Sequence, residues 1–269
     1  MKPPLLKMFA FLLGLGVPVT FPLAVATAHE YWISLERGQL QAGEPIVADL
    51  KVGEHLSGTA YPYLGDRYVS FRIQNADGQA AVESFEGDLP AVRQASLDRG
   101  LNIVAQQTIA FRLTYDDPET FRAYLAYEGL DHILAEHEKR GLAQTGFSER
   151  YTRYAKALVQ VGPASTRDAD RFTGLPFEVV AIDNPYTARD KVRVQLLWQG
   201  KPLGNAQINV FHAASREAKT EVRTDAEGRA EIPLQGDGEY LLNAVHMLPV
   251  EGAPPVAWES HWASLSFRL

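Results

Sequence analysis

The first third of the chain alternates short β-prone runs with turn residues. Residues 31–35, 45–52, 68–74, 79–83 and 107–115 carry apolar side chains at alternating or near-continuous positions, the pattern of half-buried strands. Gly38, Gly43, Gly53, the stretch Asn75-Ala76-Asp77-Gly78 and the stretch Asp98-Arg99-Gly100 separate them as turns. Regular short strands without helical spacing predict a β-sandwich lobe over residues 29–115.

The pattern changes at Asp116-Asp117-Pro118. A capping carboxylate followed by a proline is a helix start. Phe121, Tyr124, Leu125, Leu130, Ile133, Leu134 and His137 follow, partly at helical spacing, and Gly141 ends the run. A second helix is predicted from Ser148, because Tyr151, Tyr154, Ala155 and Leu158 fall at i, i+3, i+4 and i+7. The two helices make an insert over residues 116–162.

From Phe177 the pattern is β-like again. Strands are predicted at 177–181, 192–199, 207–212, 230–234, 239–247 and 258–267, forming a second sandwich lobe over residues 176–269. The expected fold is therefore mainly β, with two immunoglobulin-like β-sandwich lobes and a two-helix insert between them.

The last two strands fix a register. If they form a hairpin looped symmetrically around Gly252-Ala253-Pro254-Pro255, then Tyr240 faces Phe267, Leu242 faces Leu265, Ala244 faces Ala263 and His246 faces His261. All eight share one face of the ribbon by the period of two. Directly opposed side chains have Cβ atoms about 5 Å apart, so two imidazoles placed this way can share one metal ion.

The segment before the first strand alters the chemistry. Lys2 and Lys7 precede an apolar run from Met8 to Val25, and Ala26-Thr27-Ala28 ends it with the small residues that signal peptidase requires. Residues 1–28 are thus expected to be a signal peptide, and His29 the first residue of an exported, periplasmic, soluble protein. A free α-amine and the imidazole of one histidine can close a chelate ring around a metal, which an internal histidine cannot do. Cleavage leaves 241 residues, with 24 basic against 33 acidic side chains, a net charge of −9. No basic run survives, so nucleic acid is not an expected partner. The chain has no cysteine; any metal site must use nitrogen and oxygen ligands.

Seven histidines are available: His29, His55, His132, His137, His212, His246 and His261. His29, His246 and His261 are the predicted metal ligands, an amine with three imidazoles. Such a set takes copper, nickel, cobalt or zinc rather than calcium or magnesium, and copper most strongly among divalent ions. His55, in a Gly-rich loop, is a candidate cap, and Glu259 a candidate second acceptor beside the ligands. Glu30 falls on the opposite side of its strand from His29. His132 and His137 are five apart and do not chelate together; His137 belongs to the packed face of its helix, and His212 is expected to be exposed at a strand end.

The segments AHEYWIS, YLAYEGLDHIL, RYTRYAKALVQVG, GLPFEVVAIDNPY and LLNAVHMLPV with WESHWASLSF together resemble a bacterial periplasmic family filed as a domain of unknown function. Its members are often labelled the periplasmic component of a cobalt or nickel uptake system. The stretch GKPLGNAQINV, with TDAEGRAEIPL and GDGEYLLNAV, resembles a carboxypeptidase-regulatory-like immunoglobulin-type sandwich. The family resemblance implies metal capture, delivery or uptake, with an inner- or outer-membrane metal transporter as partner. It supplies no catalytic residue.

The expected function is therefore non-enzymatic binding of a divalent transition metal. Two alternatives stay open: a copper-dependent oxidative enzyme with a histidine brace, and a metal-free binding or adhesion sandwich. No serine-nucleophile motif, phosphate loop or paired-carboxylate signature points to a hydrolase or kinase.

Overall fold

The computed structural model of the chain describes residues 29–215 and 219–269. The signal peptide expected at 1–28 lies outside the described residues.

In chain order the strands are β1 (Glu30–Leu35), β2 (Gln39–Leu40), β3 (Pro45–Glu54), β4 (Ser57–Tyr61), β5 (Tyr68–Gln74), β6 (Gln79–Ala81), β7 (Val92–Ala95), β8 (Gly100–Thr108) and β9 (Phe111–Tyr115). Helices α1 (Pro118–Tyr127) and α2 (Asp131–Lys139) follow. The chain then returns to strands: β10 (Phe147–Val161), β11 (Phe177–Ala181), β12 (Lys191–Trp198), β13 (Lys201–Pro202), β14 (Gln207–His212), β15 (Thr220–Arg223), β16 (Arg229–Pro233), β17 (Glu239–Pro249) and β18 (Val256–Arg268).

These strands form a mainly β sandwich of three stacked sheets. A long middle sheet runs β15-β14-β17-β18-β10-β8-β5-β6, with β2 and β9 also paired to β10. On one face lies the sheet of β1, β3, β4 and β7; on the other lies the sheet of β11, β12, β13 and β16. The first interface packs Ile33, Ile46 and Leu50 against Ile73, Ala155, Ala157 and Val159. The second packs Phe177, Val194 and Ile232 against Ile103, Leu158, Leu242 and Leu265. The two expected lobes are thus joined by a shared sheet.

β10 is the main correction to the sequence reading. Residues expected to open a second helix at Ser148 form a 15-residue strand. The strand runs parallel to β18 and antiparallel to β8 and β9. Because a sheet covers each of its faces, both parities are apolar, and the period of two that marks a half-buried strand is lost. The helical spacing of Tyr151, Tyr154, Ala155 and Leu158 is what remains. β8 was hidden for the same reason, as its residues 101–106 are all buried; the single strand expected at 107–115 divides into the end of β8 and β9.

One buried charge spans two layers. Lys156 on β10 has no solvent exposure and pairs with Asp170 and Glu178 at 3.0 Å each. It also donates to the carbonyls of Arg171 and Val179, so the ammonium is fully satisfied.

The first helix starts as its sequence dictates, but the run expected to reach Gly141 breaks after Tyr127 into α1 and α2. Asp117 accepts from the Glu119 backbone N–H, and Pro118 occupies the first turn. The helices bury Phe121, Tyr124, Leu125 and Ile133 against Val245, Met247, Trp258 and Trp262 of the middle sheet. They leave Tyr127 and Glu128 beside the start of β1.

Candidate functional site

The site is built at the start of β1. The β1–β3 register sets Glu30 opposite Gly53 and Tyr31 opposite Val52. His29 therefore meets the end of β3, where its Nε2 lies 4.0 Å from Glu54 Oε1. Strand alternation sends Glu30 and Trp32 to the other side, as expected for Glu30. His29, Val52, Glu54, His55, Ser57 and Thr59 line one open cleft.

The β3–β4 turn is unusual. Glu54 pairs with Ser57, so His55 and Leu56 alone make the loop, and both have positive φ, 51° and 62°. A two-residue hairpin loop of this hand ordinarily carries Asn-Gly. Side chains in this region cost about 1–2 kcal/mol each. Leu56 offsets part of that cost by packing on the cluster of Trp32, Phe211 and Leu241. The His55 ring lies 5.8 Å from that of Phe211, and its Nε2 is 3.3 Å from the Tyr127 hydroxyl. Gly58 must stay small, because a Cβ there would sit 2.7 Å from Trp32 Cη2.

Below the turn is a layer of buried acids. Tyr127 donates to Glu30 Oε1 at 3.1 Å, while Glu30 Oε2 has no partner. Burial, reinforced by the charge of Glu54 and opposed by the Tyr127 hydrogen bond, raises the Glu30 carboxyl to about 7. Glu128 accepts from Asn209 at 2.9 Å, and its Oε1 is unpartnered. Burial and then Glu30 raise it to about 8, with Lys219 opposing. The Lys219 ammonium sits 3.6 Å above the Tyr127 ring. Lone acids scattered at Glu30 and Glu128 gave no sequence signal for this layer; only the fold brings them together.

The second pair of histidines is where the hairpin register expected it. In the β17–β18 ribbon His246 faces His261, with Ala244–Ala263, Leu242–Leu265 and Tyr240–Phe267 below. Trp198 contacts both rings, its centroid 4.9 Å from that of His246 and 4.5 Å from that of His261. His261 Nδ1 is hydrogen-bonded to the Tyr154 hydroxyl at 3.0 Å. Its Nε2 is 3.8 Å from Glu259, which is tied to Arg150 at 2.7 Å. Burial lowers His261 to about 4, against the pull of Glu259, and burial with His132 nearby also lowers His246. Both imidazoles are neutral at neutral pH.

His29 does not join them. Ser266 donates to the Ile33 carbonyl and Arg268 to that of Leu35, so β1 crosses the face of β18 that carries Trp262, Ser264 and Ser266. His261 and His246 lie on the other face, with Ala263 and Leu265 in the second interface. Stacked sheets are about 10 Å apart, too far for one ion to take ligands from both sides. The three expected ligands thus divide into two places, and His55, expected as a cap, lines the same open cleft as His29 while its ring contacts Phe211 and Tyr127.

Two of the remaining histidines are packed against aromatic rings. His137 is buried, accepting from Trp258 Nε1 at 3.1 Å and donating to the Ala143 carbonyl at 3.0 Å. His132 is exposed. His212, expected to be exposed, is half-buried and stacks on Tyr240 at 4.1 Å. Among the described residues, no group of three or more His, Asp or Glu side chains is placed to hold a metal ion; none of their helices is long and apolar enough to cross a membrane.

The family model for a domain of unknown function, DUF4198, matches residues 26–248, from the His29 segment through His246. The chain belongs to the DUF4198 family. No curated protein matches it. Among solved structures it is similar to the D0-D1 domain of Intimin at 13% identity, covering 88% of this chain and 97% of that one, with a TM-score of 0.22. A likeness that weak carries no argument about what this DUF4198 member does.

Proposed function

We propose that this DUF4198 protein is a periplasmic, non-enzymatic carrier of a divalent transition metal. It captures copper, nickel or cobalt and hands it on, with an inner- or outer-membrane transporter as the partner. The ion is held at the mature amino terminus by the α-amine and imidazole of His29, with His55 completing the set from the β3–β4 turn. His246 and His261 form a separate imidazole pair outside this set.

The observation that carries this reading is His55 itself. A turn that favours Asn-Gly holds a histidine with φ of 51°, against the cleft that His29 lines. Backbone strain kept at such a place is a mark of functional sites. The α-amine becomes a donor only on cleavage, so the side chains alone do not make a complete ligand set. One carboxylate, Glu54, stands beside His29 as a further oxygen donor. Imidazole and amine nitrogen select copper, nickel and cobalt over calcium and magnesium.

The test is elemental analysis of the exported protein together with its intact mass. A mature chain beginning at His29 and carrying one equivalent of copper, nickel or cobalt supports the reading. A chain that retains residues before His29, or one purified without metal that also fails to take up added metal, contradicts it.

A further inference from the structure

A second cleft, of about 440 Å³, opens farther along the sheet face that carries His29. Tyr31, Tyr61, Tyr68, Phe111 and Tyr151 form its walls, and Arg67 and Arg153 enter it. Val52 lines both clefts. Its volume and its mixture of aromatic wall and few polar groups are those of a small-molecule site.

The charge here runs against the rest of the chain, which is acidic overall at −7. None of the residues that line the cleft is acidic. The guanidinium of Arg153 is held between two rings, 5.3 Å from the centroid of Tyr31 and 5.1 Å from that of Tyr151. Its Nε is buried without a hydrogen-bond partner. Among the described residues, no carboxylate pairs with Arg153. Arg67 lies over Phe111 at 5.9 Å, and its one acid, Asp66, is 3.6 Å away and mostly exposed to water.

The two rings hold the guanidinium from either side, and its terminal N–H edge, unlike the buried Nε, stays open to the cleft. That edge matches a carboxylate, two donors to two oxygens. The walls between the arginines are Leu50, Pro62, Leu64 and tyrosine faces, which suit a flat apolar body and disfavour a heavily hydrated polyanion.

We propose that this cleft binds a small planar organic carboxylate, its ring between the tyrosines and its carboxylate on Arg153 and Arg67. The proposal stands without the metal reading. Titration calorimetry on the mature chain tests it, with naphthalene-2-carboxylate, the matching amide and inorganic phosphate as probes. The acid binds at least tenfold more tightly than the amide and than phosphate. Arg153→Gln lowers its affinity at least tenfold and Arg67→Gln severalfold. Equal binding of acid and amide by the parent overturns the proposal, as does phosphate binding as tightly as the acid. Should Arg153→Gln not fold, the acid–amide comparison on the parent and the Arg67→Gln variant decide the matter alone.

Discussion

His246 stands directly across the β17–β18 ribbon from His261, and the indole of Trp198 contacts both rings. Burial is the first cause of the lowered pKa of each imidazole.

A pH dependence follows for His261. Its folded pKa of about 4 lies below the ordinary value of 6.5, so the unfolded chain binds more protons as pH falls. Stability is fully present above about pH 6.5 and declines toward pH 4. At 1.36 kcal/mol per unit, the upper limit is about 3 kcal/mol. Urea denaturation from pH 7 to 4 measures it, and His261→Gln should flatten the acid side of the profile.

The acids behind the first strand have the opposite sign. Glu128 is raised to about 8, so the folded state holds a proton that the unfolded chain has released. Its contribution is fully present below about pH 4.5 and is lost as pH rises through about 8. Glu128→Gln keeps the amide-to-oxygen bond with Asn209 and removes the ionisation. It should stabilise the protein by about 2–4 kcal/mol at pH 9 and change little at pH 4.5, read by thermal melts at the two values.

Lys156 gives a stability test in the interior. Removing the ammonium in Lys156→Met leaves Asp170 and Glu178 buried and facing each other. A broken buried ion pair costs about 3–5 kcal/mol. Chemical denaturation should show a loss of that size, and the triple variant with Asp170→Asn and Glu178→Gln should recover much of it.

The hairpin register was legible in the sequence because the alternation of Tyr240, Leu242, Ala244 and His246 against Phe267, Leu265, Ala263 and His261 is complete on one face. The helix start at Asp117-Pro118 was legible because its cap is local. β10 was not, since two covering sheets erase its alternation. Nor was the distance between His29 and the histidine pair. Strand parity says which residues share a face of one strand. It does not say on which face of the middle sheet β1 will pack, and the bonds from Ser266 and Arg268 to β1 decide that. Arg153 gave no signal, because its ring partners come from β1 and from its own strand two residues away.

The β3–β4 turn separates binding from folding. His55→Gly removes an imidazole and relieves a positive φ, while losing the contact with Phe211. Stability should stay within about 1 kcal/mol of the parent, since the strain relief and the lost contact are of similar size. Copper affinity should fall at least tenfold. Thermal melting and metal titration on the same sample read both quantities.

The amino terminus of His29 carries the central claim. Copper titration of the mature chain should be run beside a version with one glycine added before His29, which converts the amine into an amide. The added residue should weaken copper binding by at least a hundredfold, because it takes the amine donor out of the chelate. Equal affinity of the two proteins for copper would show that His29 is not an amino-terminal chelator.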